Sequence, residues 1–233
     1  MSQPNTFDPT LHPALGVDTH LPVVPQERLR IEYIYQRFKD GAQGEPEVFG
    51  DYARLDANAH LDNAVKASVL VAIVDRAQPT VLFTVRSPQL KKHSGQISFA
   101  GGRLDESDPS DVHAALREAQ EEIGLRASDV RVMGEMNKYL TGTGYLVTPV
   151  VAWVDPRMQL TLNPHEVTEI FEVPLRFLMN PSNHRRHSRD FEGKRREWFS
   201  MPYIEEGQER QERFIWGATA GILRNFYHFL MHE

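Results

Sequence analysis

The segment from Ser98 to Leu125, SFAGGRLDESDPSDVHAALREAQEEIGL, constrains this chain more than any other. It joins a glycine-containing turn and an acidic loop to a predicted helix. Glu118, Glu121 and Glu122 stand at positions i, i+3 and i+4 of that helix, so their carboxylates project from one face. Such carboxylates repel one another unless a cation lies among them, and a hard divalent ion takes oxygen ligands. The alternative is an ordinary solvated face, in which Arg117 pairs with Glu121.

The predicted helix has a start and a stop in the sequence. Asp108 can accept from free N–H groups as the N-cap, and Pro109 suits the first helical position. Gly124 can adopt the left-handed conformation that ends a helix. The opposite face of the helix is apolar, so we expect it to be buried; its residues are Val112, Leu116, Ala119 and Ile123.

Composition narrows the classes of protein. A length of 233 residues suits one domain, which we place at 26–233, preceded by a Pro-, Thr- and Asp-rich tail or arm at 1–25. The net charge of −6 argues against nucleic-acid binding, and the absence of cysteine excludes disulfides and thiolate metal sites. No basic start precedes an apolar run, and no apolar stretch approaches the ~18 residues of a membrane span. A soluble, cytoplasmic protein without membrane contact is expected.

The rest of the chain alternates strand and helix patterns. Apolar, β-branched runs predict buried strands at 64–75 and 79–86, a short strand at 96–102, and a hairpin-like pair at 130–140 and 145–155. Later patterns predict a strand near 170–173, a short helix, two strands turning at Glu192-Gly193, and a final helix at 214–230. A helix is also predicted between Pro25 and Gly41, followed by a loop that could pack on a second subunit. These elements indicate an α/β sandwich with a mixed sheet.

The acidic helix and its glycines resemble the Nudix box, G-x5-E-x7-R-E-U-x-E-E-x-G-U, where U is apolar. The positions that match it directly are Arg117, Glu118, Ala119, Glu121, Glu122, Gly124 and Leu125. The chain departs from the box at Asp108, which replaces glutamate, and by one extra residue before Arg117. The resemblance implies a Nudix-type α/β/α sandwich with a mixed central sheet, and hydrolysis of a nucleoside diphosphate linked to another group.

The resemblance also implies roles for individual residues. Glu118 and Glu122 would bind Mg²⁺ or Mn²⁺, with the Gly101 carbonyl as a further ligand. Glu121 would bind a second ion or orient the attacking water, and Arg117 would hold the glutamates in place. Outside the box, Glu166 and Glu169 are candidates for an extra catalytic carboxylate, or are surface residues before a strand.

The segment from Leu82 to Gly102 resembles the signature of the coenzyme A subgroup, L-L-T-x-R-S/A-x3-R-x3-G-x3-F-P-G-G. Lys91 and Ala100 depart from its arginine and proline. The residues that the resemblance assigns to substrate binding are Arg86, Ser87, Lys91, Gly95 and Phe99. Arg86, Lys91, Lys92 and His93 would form the basic cluster that a polyphosphate needs, although the two lysines could be an exposed loop tip and His93 an ordinary loop residue.

The resemblance therefore predicts metal-dependent cleavage of coenzyme A, and of some derivatives, into 3′,5′-ADP and 4′-phosphopantetheine. The alternatives are a Nudix pyrophosphatase for another substrate, such as ADP-ribose or a dinucleotide, and a non-catalytic ligand-sensing domain. The partner is a small molecule, and a homodimer is possible. Late basic residues at 185, 186 and 194–196 could meet phosphate or form a solvated face.

Overall fold

The computed structural model describes residues 8–41, 61, 63–90, 93–191, 194–205 and 212–232. Most of the predicted loop or second-subunit arm at 41–63 lies outside these residues, as do Lys91, Lys92 and the predicted turn at Glu192-Gly193. Within the described ranges, no helix has the length and apolar character needed to cross a membrane.

Most of the described strands and helices lie where the sequence pattern predicts them, but the predicted strands at 96–102 and 130–140 are each divided in two, and a short strand lies within the predicted arm. The strands are β1 (Gly16–Val17), β2 (Val65–Val74), β3 (Thr80–Arg86), β4 (Ile97–Ser98), β5 (Ala100–Arg103), β6 (Val130–Glu135), β7 (Tyr139–Leu140), β8 (Tyr145–Val154), β9 (Val167–Pro174), β10 (Arg185–Phe191), β11 (Lys194–Ile204) and β12 (Glu212–Trp216). The α-helices are α1 (Ile31–Lys39), α2 (Asp111–Ile123), α3 (Leu175–Leu178) and α4 (Gly217–Met231).

Eight strands form the central sheet, whose main path runs β4-β3-β2-β8-β6. Strands β5, β7 and β9 pair with β2, β8 and β3, respectively. The long pairing of β2 with β8 is parallel, whereas the other pairs are antiparallel, so the sheet is mixed as predicted.

Strand β2 shows why the sequence there is almost continuously apolar. Leu70 and Ala72 belong to an apolar cluster with the buried side of α2. Val71 and Ile73 point the opposite way, into a cluster that contains residues of α1 and α4. Successive side chains of a strand alternate between faces, so both faces of β2 are covered by helices. This arrangement confirms the α/β/α sandwich.

A second sheet, β1-β10-β11-β12, packs beside α4 and includes part of the N-terminal arm. Asp18 follows β1, is 6% exposed, and forms ion pairs with Arg186 and with the buried Arg224 of α4. The Tyr227 hydroxyl also donates to the Pro22 carbonyl at 2.6 Å. The described part of the arm is thus extended but anchored, which its composition did not predict.

The final element begins later than the sequence suggested. Phe214, Ile215 and Trp216 were expected to open the last helix, but they belong to β12 and pair with β11. Gly217 has a φ of 60° and is the first residue of α4. Because pairing with β11 satisfies this stretch as a strand, tertiary contacts override the helical spacing of Ile215.

Candidate active site

Helix α2 carries the acidic cluster, and its two ends are well defined. The Ser110 hydroxyl accepts from the His113 N–H at 3.3 Å, so Ser110 is the N-cap and the prediction of Asp108 at that position was wrong. Gly124 has φ 66° and ψ 16°, the predicted left-handed stop. The helix therefore ends immediately after Glu122 and Ile123, which fixes the glutamates near a rigid turn.

Two glycines of β5 let the strand approach α2 and β2 closely. An added Cβ at Gly102 would lie 2.4 Å from the Glu118 carboxyl carbon and 2.5 Å from each of its oxygens. An added Cβ at Gly101 would lie 2.4 Å from the Ser68 carbonyl oxygen and 2.7 Å from the Val69 Cα. Gly102 thus makes room for a carboxylate, whereas Gly101 makes room for the neighbouring strand.

Glu122 is the most buried of the three glutamates, with 2% of its side chain exposed. Its Oε2 accepts from the Gly101 N–H at 3.2 Å, and its Oε1 lies 3.4 Å from Arg86 Nη1. Burial raises the pKa of Glu122 to about 7, against the opposing effects of Arg86 and the Gly101 N–H. Burial also raises the pKa of Glu118. The site therefore holds negative charge that its own cations compensate only in part.

Arg117 donates hydrogen bonds to several carboxylates of the acidic face. Its Nε and Nη2 donate to the two carboxylate oxygens of Asp108, at 3.1 and 2.8 Å. Its Nη1 donates to Glu118 at 2.9 Å and Glu121 at 3.0 Å, and its Nη2 also donates to the Arg103 carbonyl at 3.1 Å. The hydrogen bonds from Arg117 lower the pKa of Asp108, and the same bonds raise the pKa of Arg117. The sequence reasoning missed this role of Asp108, although its place at the acidic position of the box was a signal for it.

Glu166 comes to the acidic cluster from the loop before β9. Its charge raises the pKa of both Glu118 and Glu122, after the larger effect of burial. The Glu166 carbonyl accepts from the Ser87 N–H at 2.8 Å, and its carboxylate accepts from the Asn163 side chain at 3.2 Å. The first bond ties the loop after β3 to the loop before β9, the second lies within the latter loop, and Glu166 remains a candidate fourth carboxylate.

Glu169, the other carboxylate considered from the sequence, is held elsewhere. It pairs with Val85 across β3 and β9, and its carboxylate forms a two-pronged ion pair with Arg213 of β12. The Arg213 guanidinium also lies 4.5 Å from the centre of the Phe171 ring. Glu169 therefore links the two sheets and does not join the glutamates of α2.

The residues assigned to substrate binding fall into different environments. Arg86 reaches Glu122, and its Nε is buried without a hydrogen-bond partner. Ser87 is buried at the beginning of the following loop, and Gly95, with φ 71°, closes that loop by donating to the Arg86 carbonyl at 3.0 Å. Phe99 is buried and stacks on a phenylalanine of β3 at 5.2 Å, so it supports the turn from the core.

Other predicted basic contacts are used structurally or lie in solvent. The exposed His93 places Nδ1 2.9 Å from the side chain of Gln96. Arg186 holds Asp18 at 3.0 Å, and Arg195 pairs with a neighbouring glutamate at 2.9 Å. Arg195 is thus exposed, as the solvated-face alternative expected, whereas Arg186 pairs with a buried carboxylate, which neither alternative expected.

The carboxylate oxygens of this site are ligands of the kind that a hard divalent cation takes, but the carboxylates do not converge on one point. Among the described side chains, no three carboxylates or histidines converge as metal ligands. Arg117 instead draws Glu118 and Glu121 towards itself. Oxygen donors and buried, uncompensated negative charge suit Mg²⁺ or Mn²⁺, provided that these side chains turn from Arg117.

Comparison with known proteins identifies the family to which this chain belongs. The NUDIX domain family model matches residues 65–215, and the chain belongs to the Nudix family. It is 39% identical over 176 residues to an uncharacterized Nudix hydrolase, NudL, of Klebsiella pneumoniae strain 342, covering 73% of this chain and 85% of the relative. NudL of Escherichia coli K12 is 38% identical over 174 residues, with the same coverage.

Solved structures also resemble this chain. An Ap4A hydrolase binary complex from C. elegans has a TM-score of 0.42 and 18% identity, covering 50% of this chain and 85% of that one. A MutT protein from Methanosarcina mazei has a TM-score of 0.40 and 19% identity, covering 49% and 79%, respectively. The family model and the identity to the NudL relatives, by contrast, show that the protein is a Nudix hydrolase, a class that generally uses divalent metal ions and acts on small nucleotide substrates.

Proposed function

We propose that this protein is a coenzyme A pyrophosphatase, which uses water to cleave coenzyme A into 3′,5′-ADP and 4′-phosphopantetheine. The observation that carries the proposal is the contact of Arg86 with Glu122. Arg86 belongs to the coenzyme A signature and Glu122 to the Nudix box, so the substrate motif and the hydrolytic motif share one cleft. The Arg86 side chain is 26% exposed, so its guanidinium is a donor that a phosphate oxygen can reach.

Each residue has a defined part in this proposal. Glu118 and Glu122 would hold Mg²⁺ or Mn²⁺, with the Gly101 carbonyl as a further ligand, and the ion would neutralise phosphate charge. Glu121, which has 53% of its side chain exposed, is placed to orient the attacking water or accept its proton. Glu166 is the second candidate for that proton.

Arg117 and the loop residues act on the geometry of the cleft. Arg117 keeps Glu118 and Glu121 on one side through its hydrogen bonds, and a bound cation would compete with Arg117 for these carboxylates. Ser87 and Gly95 shape the loop that closes on Arg86, with Phe99 packed beneath it. Lys91 replaces the arginine of the same signature, keeps its charge, and is proposed as a further phosphate contact.

The experiment is incubation of the purified full chain with coenzyme A and Mg²⁺ or Mn²⁺, followed by mass analysis of the products. The expected products are 3′,5′-ADP and 4′-phosphopantetheine. Glu121→Gln should lose turnover with an unchanged melting temperature, while Glu135→Gln, on the exposed end of β6, should retain it. Intact coenzyme A together with cleaved ADP-ribose or a dinucleotide would replace this assignment with another Nudix activity. No cleavage of any of these substrates would favour a ligand-sensing domain.

A further inference from the structure

A cavity of about 500 Å³ opens where the second sheet meets the edge of the central sheet. Strand β12 forms one wall, while β3, β4 and β9 form another, and the first described residues of the arm close a third side. The Thr219 hydroxyl donates to the Ile97 carbonyl at 3.2 Å and joins the first turn of α4, which follows β12, to the central sheet here. The volume lies within the range of roughly 300–1,000 Å³ that small-molecule sites occupy.

The cavity adjoins the catalytic cleft but lies on the other face of β3. Val85 lines the cavity, whereas Arg86, the next residue, reaches Glu122. Side chains alternate along a strand, so these two point to opposite faces. The end of the loop between β3 and β4 borders both the cavity and the catalytic cleft. Its residues Gly95 and Gln96 line the cavity. The same two residues are bonded to Arg86, because the Gly95 N–H donates to the Arg86 carbonyl and the Arg86 N–H donates to the Gln96 carbonyl. A long substrate bound at Arg86 could thus pass around the edge of the sheet.

The charges that line the cavity oppose a phosphate group. Arg213 is already neutralised by Glu169, which leaves the carboxylates of Asp8 and Glu212 among the described lining residues. Asp8 accepts from the N–H and the hydroxyl of Thr10, at 2.9 and 2.6 Å, and these bonds favour its ionised form. Like charges brought together at an interface disfavour binding. The cavity is therefore suited to a neutral ligand that donates hydrogen bonds.

The remaining wall is apolar and aromatic. Phe214 and Trp216 are half-buried and lie two residues apart on β12, so both face the cavity from one side of the strand. Val85 and Ile97 add aliphatic surface opposite them. An occupant should therefore combine apolar stretches with N–H or O–H donors.

We propose that this cavity holds the pantetheine arm of the substrate, an inference that rests on the proposed coenzyme A activity. The pantetheine arm is uncharged and extended, and its two amide N–H groups and its one free hydroxyl can donate hydrogen bonds to the carboxylates. The other half of coenzyme A carries the 3′-phosphate on the ribose of its adenosine, and the acidic lining disfavours that half. The cavity thus determines which end of the molecule lies on the second-sheet side.

The test uses a variant that blocks the cavity and leaves the glutamates of α2 unchanged. Ser94 is exposed and lines the cavity, so Ser94→Trp adds bulk there with little effect on folding. Ser128→Trp, at an exposed position away from the cavity, is the matched control. Phe214→Ala is a second variant, which removes part of the aromatic wall. Binding of pantetheine, adenosine and 3′,5′-ADP is measured by calorimetry without metal, and kcat/KM is measured with coenzyme A and ADP-ribose.

The expected result is that pantetheine binds the wild type and the Ser128→Trp control, and that Ser94→Trp weakens this binding by at least about tenfold. Ser94→Trp should also lower kcat/KM for coenzyme A by at least about tenfold, mainly through KM, without affecting any hydrolysis of ADP-ribose. Equal behaviour of Ser94→Trp and its control, with coenzyme A still cleaved, would overturn the inference and leave the proposed function standing. Failure of the wild type to cleave coenzyme A would end the proposed function. Absence of pantetheine binding, or tighter binding of adenosine in the cavity, would also overturn the inference.

Discussion

Substitution of Gly102 by alanine should lower catalytic activity while leaving the stability of the fold nearly unchanged. Its added Cβ would lie 2.4 Å from the Glu118 carboxyl carbon, where ordinary contact begins at 3.4 Å, so the carboxylate must move by about 1 Å. A displacement of that size at a reacting centre can cost about 10²-fold in rate. We therefore expect Gly102→Ala to lower kcat/KM by roughly 100-fold.

Stability should change little in the same variant, because the displaced group is the end of a flexible side chain. Gly102 does not have the positive φ that would strain alanine. Gly→Ala at such a position also lowers the entropy of the unfolded chain, which stabilises the folded protein by about 0.4–1 kcal/mol and offsets the cost of moving the Glu118 side chain. Gly101→Ala is the contrasting control, since its Cβ would meet the backbone of Ser68 and Val69. Overpacking against backbone costs about 1–3 kcal/mol, or roughly 2–12 °C in melting temperature for a chain of this size.

The assay combines steady-state kinetics, on whichever nucleotide pyrophosphate the wild type cleaves, with thermal unfolding of the three proteins. Full activity in Gly102→Ala would refute the claim that Gly102 makes room for a catalytic carboxylate. A loss of stability in Gly102→Ala as large as that in Gly101→Ala would refute the distinction between the two glycines.

Three further predictions test the site and the second sheet. Asp108→Asn should lower activity by about 10–100-fold because Arg117 loses its two-pronged partner, whereas Asp105→Asn, 3.9 Å from Arg117 and 69% exposed, should match the wild type in kinetics. Chelation by EDTA should abolish turnover, and Mg²⁺ or Mn²⁺ should restore it; activity that survives exhaustive chelation would contradict a metal role. Burial lowers the pKa of His184 to about 4, so its contribution to stability is complete above pH 6.5 and declines as the pH falls towards 4, by about 3 kcal/mol in total. Urea unfolding should show that the free energy of unfolding falls less between pH 7 and pH 5 in His184→Gln than in the wild type. An equal fall in the two proteins would assign the acid sensitivity to other groups.

Local signals predicted the elements that carry the chemistry. The apolar run at 64–75 and the glutamate spacing of α2 act over a few residues, and the left-handed stop at Gly124 needs only a residue without a Cβ. The start of α2 was misplaced, because Asp108 and Ser110 are both good caps and only the pull of Arg117 on Asp108 distinguishes them.

Contacts between distant segments were beyond the reach of such signals. The parallel pairing of β2 with β8 joins positions 80 residues apart, as at Val65 and Tyr145, and no local pattern specifies it. Glu166 and Glu169 looked equivalent in sequence, yet one lies near the acidic helix and the other pairs with Arg213. Which side of the sheet each reaches depends on strand register, and a shift of one residue exchanges the faces.

By itself, the sequence determined the long central strands, the acidic face of α2 and the resemblance that names the family, because periodicity, caps and motifs are local properties; it did not predict β1 or β12. Only the tertiary structure decided that Arg86 meets Glu122, that Asp108 holds Arg117, and that a cavity lies on the far face of β3. Those features depend on which buried surfaces pack together and on charges that burial brings close, and both are set by the whole fold.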